Sequence, residues 1–211
     1  GWFTAYQEFV NRWAQIAQDN SVEMFCVGCE LQATESWSAS WRAVIANTRL
    51  VYSGPVVYAA NHGDEQNIDW WDALDHIGID AYYSLTAAND PTPEELAAAW
   101  SSRLDSIEAW RNTAWPAMDV IFTEVGYQST DGTNQTPWYT DPCTNPLDFL
   151  EQADCYEALL NQCRQRDWWL GAFWWNWETD PNAGGLADPY WTPQNKPVEV
   201  VLQDYYSGAW R

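Results

Sequence analysis

Five short runs of mostly apolar residues, each closing on or followed by a polar one and separated by helix-like segments, constrain this chain more than any other feature. They are Met24–Val27, leading through Gly28-Cys29 to Glu30; Val56–Ala59, leading to Asn61; His76–Asp80, with Tyr82 just beyond; Val120–Thr123, closing on Glu124; and Leu170–Trp174, followed by Asn176 and Glu178. Runs of four or five residues with little polar alternation read as strands of a parallel sheet that helices cover. No G-x-G-x-x-G and no phosphate-cradling loop follows any of them, so a dinucleotide-binding fold has little support.

The intervening segments carry helical signals. Phe3, Tyr6, Val10, Trp13 and Ile16/Ala17 recur at three-to-four spacing and stop at Asp19-Asn20, predicting an amphipathic first helix. Further helices are expected over Trp37–Leu50, around Asp69–Leu74, from Asn145-Pro146 to about Arg166, and near Val198–Tyr206. Thr92-Pro93-Glu94-Glu95 is a capping box with Pro at the first helical position, and its helix should run to about Trp110.

Charge narrows the partners. Thirty acidic residues against eight Arg and a single lysine, Lys196, give a formal charge of −21. That field repels nucleic acid and anionic membranes, and a neutral polysaccharide is indifferent to it. No stretch reaches 18 consecutive apolar residues, so no segment reads as a membrane span. The chain opens on Gly1 without an initiator Met, as expected after processing or for part of something longer. Seventeen tryptophans exceed what a core of this size needs, and five of them fall between Trp168 and Trp177. An indole offers a flat apolar face and one N–H donor, which suits the C–H face and hydroxyl rim of a sugar.

Cys26 and Cys29 form a lone C-x-x-C in a strand-like run, without a second pair or a histidine partner, so no metal site is expected. On a strand they point to opposite faces and do not bridge each other. Cys155 and Cys163 are too far apart on one helix to bond. Cys143 lies in the loop before that helix, within reach of Cys155. The expectation is one surface disulfide and three buried thiols, in keeping with a secreted, extracellular protein.

Hydrolysis of a glycosidic bond requires one carboxylic acid to protonate the leaving oxygen and a second carboxylate to attack carbon or activate water. Glu30 and Glu124 each end an apolar run, where a carboxylate is costly unless it faces an open mouth or a partner. The bland alternative is that each caps a helix or pairs with an arginine.

Several strings together resemble glycoside hydrolase family 113: Val27-Gly28-Cys29-Glu30-Leu31, Tyr58-Ala59-Ala60-Asn61, Trp71 through Tyr83, Ile121-Phe122-Thr123-Glu124-Val125-Gly126-Tyr127, and Gly171-Ala172-Phe173-Trp174-Trp175-Asn176-Trp177. That family contains β-1,4-mannanases and belongs to a clan of retaining (β/α)8 glycosidases with catalytic glutamates after strands four and seven. The resemblance implies a single α/β domain over residues 1–211, made of the C-terminal five βα units of a TIM barrel, with strands one to three missing from this chain. It implies Glu30 as acid/base and Glu124 as nucleophile, converging to about 5–5.5 Å as a retaining mechanism needs. It also implies Tyr82 as the hydroxyl holding the nucleophile, and Trp174, Trp175 and Trp177 as a sugar platform. Asn176 or Asn61 would bond hydroxyls, and no cofactor is implied.

Two departures qualify it. Where the clan often carries Asn before the acid/base, to bond the sugar 2-hydroxyl, this chain has Cys29. The early-strand residues that line the rest of such a cleft, often including an Arg, have no counterpart here. Five strands do not close an eight-stranded barrel, so another chain or a missing N-terminal segment would have to complete it. Two function classes stay open: a retaining β-1,4-mannan hydrolase, and a non-catalytic carbohydrate-binding or assembly component built on an incomplete barrel.

Overall fold

The computed structural model describes residues 1–140 and 144–208. Helices α1 (Trp2–Asp19), α2 (Gln32–Glu35), α3 (Ser38–Thr48), α4 (Pro93–Ala114), α5 (Phe149–Cys163) and α6 (Pro197–Ser207) alternate with strands β1 (Phe25–Cys29), β2 (Val56–Asn61), β3 (His76–Asp80), β4 (Val120–Val125) and β5 (Trp169–Trp174). The strands form one parallel sheet in the order β1-β2-β3-β4-β5, the α/β architecture expected. By contact density the chain divides into two compact units. The first is Gly1–Ala81 with Trp110–Thr123, and the second is Tyr82–Ala109 with the chain from Glu124 onward.

In the first unit β2 and β3 are buried almost throughout, as continuous apolar runs in a covered parallel sheet should be. Their register, Val57 with His76 through Asn61 with Asp80, is unbroken. Gly78 permits this packing, because a Cβ there would fall on the Tyr58 carbonyl oxygen. Above the sheet Trp41 stacks on Trp70 with ring centroids 5.1 Å apart, and Tyr58 meets both indoles edge-on. Three indoles of this unit, Trp41, Trp70 and Trp71, are therefore core, whereas Trp2, Trp13 and Trp37 are exposed.

α1 buries a narrower stripe than its spacing predicts. Val10, Ala14 and Ala17 are covered, whereas Phe9, Trp13 and Ile16 are exposed. With Val22 and Phe25 they line an open apolar groove of about 560 Å³ along β1, the terminal strand of the sheet. Cys26 and Cys29 are exposed on this strand, contrary to the expectation of buried thiols.

In the second unit the capping box forms as read: the Thr92 N–H donates to Glu95 Oε2 (2.8 Å) and the Glu95 N–H to Thr92 Oγ1 (3.2 Å). α4 then runs one turn beyond the expected end. α5 starts later than Asn145-Pro146. Asp148 is its cap, with Oδ1 accepting from the Leu150 and Glu151 N–H groups, while a bridge from Leu147 to Thr130 keeps the preceding residues extended. Cys143 lies outside the described residues. Cys155 is a fully buried free thiol on the inward face of α5, as is Cys163. The surface disulfide expected at Cys155 is therefore corrected: burial, which raises the pKa of Cys155 and of Cys163, removes that sulfur from any surface bond.

Candidate active site

In the first unit the chain between β1 and α2 bends sharply at Glu30, a non-glycine residue at φ 50°. Such left-handed backbone costs about 1–3 kcal/mol and persists only where its surroundings impose it. Two hydrogen bonds do so. The Glu30 N–H donates to the Ala59 carbonyl and the Leu31 N–H to the Tyr58 hydroxyl, both at 2.9 Å. Tyr58 in turn donates to Glu35 Oε1 at 2.6 Å, so a buried tyrosine and a buried glutamate fix the turn. The register between β1 and β2 also shifts between Cys26 and Cys29, a bulge that re-aims the residues beyond it. Gly28 is needed because a Cβ there would press on Trp41, Tyr58 and Tyr6.

The Glu30 side chain is exposed, yet its pKa is raised, first by partial desolvation and then by the negative charge of Asp64. Asn61 ends β2, half-buried and opposite Asp80. Asp80 is fully buried and accepts the Thr123 hydroxyl at 2.7 Å, with Cys29 Sγ 3.4 Å from its other oxygen. Cys29 thus engages the end of β3. The sequence marks Asp80 only as a strand-end polar residue, with no role attached, and gives Thr123 and the loop residue Asp64 no signal of their own.

In the second unit Glu124 is half-buried near the end of β4, and the Tyr82 hydroxyl donates to its Oε2 at 3.0 Å. Tyr82 is itself buried, which fixes the donor. Two residues after Glu124, Gly126 lets the backbone of Trp175 approach: a Cβ there would fall on the Trp175 carbonyl oxygen, and the Trp175 N–H donates to the Val125 carbonyl at 2.8 Å. Trp175 (44% exposed) and Trp177 (54%) present open ring surface, joined by a cis Trp175–Asn176 peptide bond. Asn176 Nδ2 donates to Glu178 at 2.7 Å. Trp174 is used differently: it stacks on Tyr156 at 4.4 Å and its indole N–H donates to the Tyr206 hydroxyl.

The profile of Glycoside Hydrolase Family 113 matches residues 1–188. The chain belongs to that family. Among solved structures it is similar to a GH113 β-1,4-mannanase in a complex, at 29% identity and a TM-score of 0.84, covering 98% of this chain and 62% of that one. It is also similar to the GH113 β-mannanase from Alicyclobacillus acidocaldarius in complex with ManMIm, at 30% identity and a TM-score of 0.81, with the same coverage. The chain therefore spans less than two thirds of these family 113 structures. A β-glucuronidase of Faecalibacterium prausnitzii, 14% identical with a TM-score of 0.70 over 97% of this chain and 35% of its own, shares the fold alone. No curated protein matches the sequence.

Proposed function

We propose that this family 113 chain carries the machinery of a retaining β-1,4-mannan hydrolase, with Glu124 as nucleophile and Glu30 as acid/base. The observation that carries the reading is the buried Tyr82 hydroxyl donating to Glu124, because an attacking carboxylate must be held in one orientation. The raised proton affinity of Glu30 suits the complementary task.

In the proposed reaction a Glu124 oxygen attacks the anomeric carbon as the glycosidic C–O bond breaks, and Glu30 gives its proton to the departing oxygen. Water then attacks the same carbon, Glu30 takes the water proton, and the ester bond to Glu124 breaks with net retention of configuration. Trp175 and Trp177, with Trp174 behind them, would carry the sugar rings, and Asn61 and Asn176 would bond hydroxyls. A polymer of this kind is met outside the cell, which is the proposed location. The groove beside β1 suggests that a further βα segment, in the same chain or another, extends the sheet there. The same groove favours the second reading, a non-catalytic carbohydrate-binding component.

Aryl β-mannosides with a good leaving group distinguish the two. Glu30→Ala should keep its first step on such a substrate, and azide should restore turnover with a product of retained configuration. Glu124→Ala should be inactive with every leaving group unless azide yields the inverted product. Unchanged turnover in Glu124→Ala, or an inverted product from Glu30→Ala, would overturn the roles. A wild-type chain that binds manno-oligosaccharides without cleaving them would establish the non-catalytic reading.

A further inference from the structure

The second unit exposes aromatic rings beyond Trp175 and Trp177, on the loops that follow β4 and β5. Trp138 is 48% exposed and Tyr190 46%. These loops are pinned to each other. The Trp191 indole donates to the Pro137 carbonyl at 3.1 Å, so the neighbours of Trp138 and Tyr190 are directly bonded. Ser129 donates its N–H to the Pro189 carbonyl (3.2 Å) and its hydroxyl to the Asp188 carbonyl (2.7 Å). Gln152, fully buried, bonds the carbonyls of both Tyr127 and Trp191.

The only lysine of the chain is spent on the same loop. The Lys196 side chain is 0% exposed, and its Nζ donates to the Tyr190 carbonyl at 2.6 Å and to Asp188 Oδ1 at 3.1 Å. Burying an ammonium is expensive, so a loop held this way is pre-set rather than adaptable. Gly126 continues the arrangement inward: a Cβ there would meet both the Trp175 carbonyl and the Trp191 ring. An unbroken line of contacts thus runs from Trp175 through Gly126 and Trp191 to Pro137 and Trp138.

We propose that Trp138 and Tyr190 form an outer sugar platform that binds a neutral β-1,4-linked glycan beyond the rings carried by Trp175 and Trp177. The proposal rests on the carbohydrate reading above and adds that the substrate is an extended chain. The exposed rings, with Tyr139 beside Trp138, alternate along the sequence with polar residues such as Asp188, Asn176 and Glu178, which matches a sugar's alternation of C–H faces and hydroxyls. A protein partner would call for a continuous apolar patch.

Calorimetric titration with mannobiose and mannohexaose tests it, with parent and variant both carrying Glu124→Ala so that the saccharides are not cleaved. The parent should bind the hexaose more tightly than the biose. A Trp138→Ala Tyr190→Ala variant should lose about tenfold in hexaose affinity and keep its biose affinity. If the variant binds hexaose as the parent does, the outer platform is refuted while the carbohydrate reading stands. If the parent binds neither saccharide, that reading falls and the platform with it.

Discussion

The two strand-end glutamates occupy opposite kinds of surroundings. Glu30 is held through its backbone: φ is 50°, Ala59 and Tyr58 clamp the amides on either side, and its exposed carboxyl accepts no side-chain hydrogen bond among the described residues. Glu124 lies on regular strand backbone and is held through its carboxylate, by the Tyr82 hydroxyl. Each has a glycine two positions away, Gly28 before Glu30 and Gly126 after Glu124, and each glycine admits a different bulky neighbour. The contrast fits the roles proposed for the two groups. A nucleophile needs its attacking atom fixed, whereas a group that gives and takes a proton twice in one cycle gains from a mobile carboxyl on a fixed base.

The largest effect should come from Glu124→Ala, which removes the proposed attacking atom. kcat/KM on aryl β-mannosides should fall on the order of 10⁴-fold, with circular dichroism unchanged. Tyr82→Phe deletes only the hydroxyl that orients Glu124 and should cost about 10²-fold in kcat with little change in KM. A Tyr82→Phe enzyme of normal rate would break the distinction drawn between the two glutamates.

The glycines should answer in stability instead. Gly28→Ala forces a Cβ among Trp41, Tyr58 and Tyr6, and Gly126→Ala forces one onto a backbone carbonyl. Each should lower unfolding free energy by about 1–3 kcal/mol in denaturant titrations. The smallest effect sharpens the account of Glu30. Its pKa is raised in the folded chain, so the native state holds that proton longer than the unfolded one. Its contribution to stability is present below the ordinary glutamate pKa and is lost as pH rises through the raised value. Glu30→Gln cannot ionise, so above that window it should melt slightly higher than the parent and should match it below; because Glu30 is exposed, solvent screening keeps the gap smaller than either glycine effect.

Much of this fold was legible because its signals are local. The apolar runs of β2, β3 and β4 lie on covered strands, and the Thr92–Glu95 box satisfies its own amides. The sequence misleads where distant residues decide. The α5 start moved to Asp148 because Leu147 is tied to Thr130, and the exposure of Trp13 and Ile16 depends on what lies beside β1. At the candidate site, sequence position marked Glu30 and Glu124 and the resemblance added Tyr82. The Tyr58–Glu35 clamp that strains Glu30 joins residues 23 positions apart and leaves no pattern in the chain. Nor did the indoles announce that Trp174 packs on Tyr156 while Trp175 and Trp177 stay open.

The central claim is that Glu124 forms a covalent bond to the sugar and Glu30 does not. A 2-deoxy-2-fluoro-β-mannosyl fluoride slows hydrolysis of such an intermediate enough for peptide mapping by mass spectrometry. The account predicts a single glycosylated peptide, Val120–Tyr127 or a fragment containing it, with the label on Glu124. A label on Glu30 or on any other residue, or turnover to a product of inverted configuration, would contradict it.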